Sequence, residues 1–134
     1  MNRAQVPEIL AGFNGLRWRW GVLDCCMFAA AVLEQLHGRD FAAGWRGKYR
    51  THARAQRLIE ERGGLEAILT EIFGPPVPPL TVRRGDPVLA RDPDRFHDGE
   101  AVGIADGRLA VFITSDGLMT MPLSRCAMGW RVDG

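Results

Sequence analysis

The chain has 134 residues, 46% of them hydrophobic, which suits one domain whose core needs no metal or disulfide to hold it. Its 17 basic and 16 acidic side chains leave a formal charge of +1, so bulk electrostatics give no reason to expect nucleic acid, a polyanion or a membrane surface as partner. Three cysteines, two of them adjacent, make no regular disulfide framework, and no secretory leader or membrane-spanning run is evident, so the expectation is a soluble protein made in a reducing cytoplasm.

Val6, Ile9, Leu10 and Phe13 recur at helical spacing and predict a short helix over residues 5–13, with Pro7 acceptable in its first turn and Asn14-Gly15 ending it. The second helix carries the clearest pattern. From Cys25 onward the apolar positions Cys25, Phe28, Ala29, Val32, Leu33 and Leu36 line one face, Asp24 is placed to cap the start, and Gly38 to end it. Cys25 therefore falls in the first turn, where unpaired N–H groups and the helix dipole favour a negatively charged sulfur. A second reading of Cys25, as a small core side chain, stands level with this one, because cysteine is among the residue types most often buried.

After Gly38 an irregular segment, 39–49, carries Trp45 and Tyr49, which are expected to fold back over the domain. The basic residues Arg46, Lys48, Arg50, Arg54 and Arg57 read as a solvated face. A third helix over 51–62 turns Ala55, Leu58 and Ile59 inward and stops at Gly63-Gly64, and Leu65, Ile68, Leu69 and Ile72 mark a fourth. Residues 74–79, Gly-Pro-Pro-Val-Pro-Pro, cannot continue a helix and read as an extended connector. Beyond it, short valine- and isoleucine-bearing runs at 86–90, 100–105, 108–114, 118–122 and 129–132 are separated by turns at Asp98-Gly99, Asp106-Gly107 and Asp116-Gly117. The pattern predicts one α+β domain over 1–134, with a helical half at 1–74, a connector at 75–80 and a β half at 81–134, its small antiparallel sheet packed on the Cys25 helix.

Taken in order, Trp20-Gly21, Asp24-Cys25-Cys26-Met27-Phe28, Gly85-Asp86-Pro87-Val88, the 101–107 segment Ala-Val-Gly-Ile-Ala-Asp-Gly, and Trp130-Arg131-Val132 resemble the NlpC-type cysteine peptidases. These are papain-like enzymes that cut peptide bonds in bacterial cell walls. Within that group the chain resembles small phage and prophage proteins encoded among tail genes, through Trp18-Arg19-Trp20-Gly21 leading into Asp24-Cys25, Gly38-Arg39-Asp40 and Arg46-Gly47-Lys48-Tyr49. The resemblance implies a papain-like NlpC-type architecture, a place in the virion tail after synthesis in the host cytoplasm, and other tail-tip or baseplate proteins as partners.

One position departs from the peptidase pattern. In those enzymes a histidine opens the His-Val-Gly-Ile strand and exchanges a proton with the cysteine, whereas Ala101 stands there in this chain. The polar group that would orient such a histidine has no counterpart among Leu109, Ala110 and Val111. His97, four residues upstream, is the candidate displaced base, while His37 and His52 read as structural or exposed. Two functions follow: a degenerate domain acting as a structural or docking module in tail-tip assembly, or a murein peptide hydrolase in which Cys25 attacks, His97 serves as base and backbone N–H groups hold the oxyanion. A thiol hydrolase or acyl-binding domain unrelated to phage is a third, weaker reading. Trp18, Trp45 and Tyr49 are candidate interface aromatics. No cofactor is implied, and because adjacent Cys25 and Cys26 point apart and a further ligand such as His97 would have to be recruited, no metal site is expected.

Overall fold

The computed structural model describes residues 1–133, in which helices α1 (Val6–Ala11), α2 (Cys25–His37), α3 (His52–Glu61) and α4 (Leu65–Phe73) precede a five-stranded antiparallel sheet. The strands are β1 (Pro87–Arg91), β2 (Glu100–Asp106), β3 (Leu109–Thr114), β4 (Gly117–Pro122) and β5 (Met128–Gly129), in the spatial order β4-β3-β2-β1-β5. No helix among the described residues is long and apolar enough to cross a membrane.

Local chemistry sets the helix limits. Asp24 is extended and its carboxylate accepts the Met27 N–H at 3.0 Å, while Gly38, at φ 69°, closes α2 in the left-handed conformation and returns its N–H to Glu34 at 2.8 Å. Thr51 Oγ1 caps α3 by accepting the Arg54 N–H. The first helix is shorter than the expected 5–13 because Phe13 and Asn14 donate to carbonyls three residues back, at 3.0 and 3.1 Å, tightening the chain out of α geometry. Phe13 is nonetheless buried, in edge-on contact with Phe28.

Strand alternation divides the sheet's side chains between two clusters. Leu89, Val102, Ile104, Val111 and Ile113 share the main core with Phe28, Val32 and Leu33 of α2 and with Trp130. Ala90, Ala101, Ala105 and Phe112, on the other face, pack with Phe96, Leu123 and Cys126. Phe28 and Phe112 are fully buried, each worth about 1.5–3 kcal/mol of hydrophobic stabilisation. Gly103 lies under the Phe112 ring, where a Cβ would stand 2.5 Å from Cε1. A third cluster joins Met27, Ala30, Ala42, Tyr49, Ala55 and Leu58, with Trp20 and Trp45 packed on it, so segment 39–49 folds back over α2 and α3 as expected.

The expected strand at 129–132 is corrected: pairing ends at Gly129. Beyond Trp130 the backbone is claimed by side chains instead. Val132 donates to Asp86 Oδ1 at 3.2 Å, and its carbonyl accepts Arg3 Nη2 at 2.8 Å and Arg83 Nη2 at 3.1 Å. Asp86, fully buried, also accepts the Arg83 N–H at 2.8 Å, which is the turn-fixing role its place after Gly85 suggests. The proline-rich connector is bound to the sheet: Val77 exchanges both backbone hydrogen bonds with Gly129, at 2.8 and 3.0 Å.

Candidate functional site

The start of α2 opens into a cleft of about 860 Å³, a size that suits a small ligand or a few side chains, and Cys25, Trp18, Trp20, His97, Asp98 and Ala101 are among its lining residues. Its floor is held by Asp24, which is 2% exposed. Beyond the Met27 cap, Asp24 Oδ2 accepts the Gly21 N–H at 2.9 Å and the Tyr49 O–H at 2.6 Å. Burial, and then the Asp24 charge, push the Tyr49 phenol well above its ordinary pKa, so it remains a donor. Gly21 has φ 79°, and a Cβ there would collide with the Tyr49 carbonyl oxygen, so this close approach requires glycine. Segment 39–49 is braced internally by Arg46, which grips Asp40 through Nε at 2.8 Å and Nη2 at 3.1 Å and holds that carboxyl below its usual range.

These bonds connect the motifs singled out in the sequence. The Trp-Gly and Asp-Cys residues meet the Arg-Gly-Lys-Tyr segment at Gly21, Asp24 and Tyr49, and the Gly-Arg-Asp step meets the same segment at Asp40 and Arg46. Tyr49, a candidate interface aromatic, is turned inward with its hydroxyl engaged, so it offers a partner little. Trp18 and Trp45 are half-buried at the cleft, Trp18 edge-on to Trp20 with centroids 5.1 Å apart.

Cys25 is the first residue of α2 and half-buried, packed against the cluster that contains Ala90, Phe96 and Ala101. Cys26 packs against the main core instead, yet the two sulfurs are 4.0 Å apart, closer than a simple divergence around the helix suggests. The bond to Cys25, then burial, then the charges of Cys25, Asp24 and Glu100 raise the Cys26 thiol well above its ordinary pKa. Burial alone lifts Cys126 to about 11. Among the described residues no imidazole hydrogen-bonds Cys25. Ala101, the second residue of β2, is buried and its side chain carries no polar atom.

His97 lines the same cleft from the β1–β2 loop but is engaged elsewhere, its ring centroid 5.1 Å from that of His52. His52 Nε2 lies 2.5 Å from Asp98 Oδ1, to which Gln56 Nε2 also donates at 3.1 Å, and the His52 ring rests on Trp20 at 4.8 Å. His52 and Asp98 thus belong to the site although sequence reasoning left them out. Nothing local could join two residues 46 positions apart in the chain. His37, at the far end of α2, has both ring nitrogens buried without a partner.

Fold and site together define an α+β domain with a half-buried cysteine at a helix start, set in a largely apolar cleft with a polar His-His-Asp rim. The chain belongs to the family described as Domain of unknown function (DUF6950), which it matches over residues 2–132. No curated protein and no solved structure matches it.

Proposed function

We propose that this chain is a phage tail component, a papain-like NlpC-type domain that lacks the usual base and acts as a docking module among tail-tip or baseplate proteins. Position 101 carries the reading. The peptidases place their base at the start of this strand, and here β2 offers the cleft a buried methyl group, while no imidazole bonds to Cys25 among the described residues. The helices-first order, with α2 packed on β2, supports the architecture. The bonds among Gly21, Asp24, Tyr49, Asp40 and Arg46 support a structural use for the motifs shared with the tail-cluster proteins.

The test is complementation of a phage lacking this gene. A Cys25→Ala copy is expected to restore infectious tails at the wild-type level, and the purified wild-type protein to leave cell-wall peptides uncut. Loss of infectivity with Cys25→Ala, together with peptide cleavage by the wild type, overturns the docking reading.

A second reading is favoured by one observation, that His97 and Asp98 line the same cleft as Cys25. In it the Cys25 sulfur attacks a peptide carbonyl, the imidazole of His97 takes the thiol proton and returns it to the leaving amine, and free N–H groups at the start of α2 hold the oxyanion. Water then hydrolyses the thioester. Cleavage of cell-wall peptides that disappears in both Cys25→Ala and His97→Ala is the result this reading requires.

A further inference from the structure

We propose that His52, His97 and Asp98 form a binding site for a divalent transition metal of the zinc class at the rim of the cleft. One ligand atom from each of the three residues lies within 4.8 Å of the others. Ligand atoms about 2.0–2.1 Å from a tetrahedral zinc stand roughly 3.3 Å from one another. The widest separation exceeds that spacing by up to about 1.5 Å and the His52 Nε2–Asp98 Oδ1 pair, at 2.5 Å, falls short of it, so side-chain rotation in these exposed or half-buried residues has to close one gap and open the other. Two imidazoles and one carboxylate match zinc, cobalt, nickel and iron(II); calcium and magnesium select all-oxygen sets.

The arrangement is more than an ion pair. An Asp98–His52 bond accounts for two of the residues, but it gives no reason for His97 to lie against His52. Two of the protein's three histidines meet here from separate elements, α3 and the β1–β2 loop. Ligating groups are commonly oriented by partners outside the coordination sphere, and these are present. Gln56 Nε2 holds the Asp98 carboxylate at 3.1 Å, and Trp20 supports the His52 ring at 4.8 Å.

The loop bearing His97 and Asp98 is closed before any ligand arrives. Asp92 N–H donates to the Gly99 carbonyl at 2.9 Å, Gly99 N–H donates to the Phe96 carbonyl at 2.9 Å, and buried Phe96 anchors it on Phe112. Little backbone entropy is therefore lost on binding. Three protein ligands leave a coordination position for water or for a donor atom of a molecule in the cleft. The proposal stands apart from the tail-docking reading and needs neither Cys25 nor its thiolate.

The experiment is a competition titration of the untagged protein with Zn²⁺ against a chromophoric chelator, with Co²⁺ spectroscopy as the structural readout. One equivalent is expected per chain, with nitrogen and oxygen ligands in the Co²⁺ spectrum. His97→Ala and Asp98→Asn, both exposed and remote from the core, should each weaken binding at least ~100-fold, and Gln56→Ala about 10-fold. Far-ultraviolet circular dichroism confirms that each variant remains folded. Three results overturn the proposal: no binding to the wild type at millimolar metal, unchanged affinity in His97→Ala and Asp98→Asn, or a thiolate charge-transfer band that assigns the metal to cysteine.

Discussion

Replacing Tyr49 by phenylalanine removes one oxygen and leaves the buried ring in place, so it isolates the 2.6 Å bond to Asp24 Oδ2. A hydrogen bond to a charged acceptor contributes about 1.5–3 kcal/mol. The upper half of that range applies here, because Asp24 is 2% exposed and water has little access to replace the lost donor. With an unfolding entropy of about 2.1 cal/mol/K per residue, the 134-residue chain has roughly 0.28 kcal/mol/K at its midpoint, so the loss corresponds to a fall in Tm of about 8–11 °C. Thermal and urea unfolding followed by circular dichroism measure it. A double-mutant cycle with Asp24→Asn then separates the pair from the helix cap, which Asp24 supplies through its other oxygen, Oδ1. A Tm within about 1 °C of wild type, or a coupling energy near zero, would refute the view that this carboxylate is held dry and fully bonded beneath Cys25.

Iodoacetamide at neutral pH should label Cys25 before the other two cysteines, because Cys26 is held protonated by its bond to Cys25 and by burial, and Cys126 by burial at a pKa of about 11. Mass spectrometry orders the three, and labelling of Cys126 first contradicts the burial described. His37 should make the fold acid-sensitive. Burial, followed by Arg3, lowers its folded pKa from 6.5; Arg39 and Arg83 act the same way, against Asp86. The unfolded chain then binds the proton first, so the stability is complete above 6.5 and drains away as the pH falls below it. Urea midpoints measured at about pH 7.5 and about pH 5.5 should differ less in His37→Leu than in the wild type. Gly103→Ala puts a Cβ 2.5 Å from Phe112 Cε1 and 2.6 Å from the Val111 carbonyl oxygen. It should cost about 1–3 kcal/mol or more by overpacking, and an unchanged melting curve contradicts the β2–β3 register.

Elements with local signals were legible. Asp24, Thr51 and Gly38 delimit α2 and α3 through bonds that span a few residues, and the Asp-Gly turns place the hairpins at glycines that take positive φ. What the sequence hid depends on distant groups. Trp130-Arg131-Val132 carries strand propensity, but Arg3, 129 residues away, together with Arg83 and Asp86, takes the Val132 backbone out of the sheet. Tyr49 reads as an aromatic folded back over the domain and a candidate for an interface until Asp24 is seen to claim its hydroxyl. His52 follows a helix cap, an ordinary surface position, and gains its neighbours only when α3 meets the β1–β2 loop. At the cleft, Cys25 was legible as a residue at a helix start, whereas the cluster at the rim belongs to tertiary structure alone.

The strip of connector lying along β5 limits how copies of this protein can join. Val77 uses both its backbone groups on Gly129, and its neighbours Pro76 and Pro78 have no N–H to offer an incoming strand. Backbone pairing between molecules is thereby confined to the opposite margin, along Gly117–Pro122. A particle with one sticky margin makes a closed pair and stops there, whereas two would allow a fibre to grow. Crowding many copies together at one place therefore carries less risk of open-ended polymerisation than a five-stranded sheet with two bare edges would.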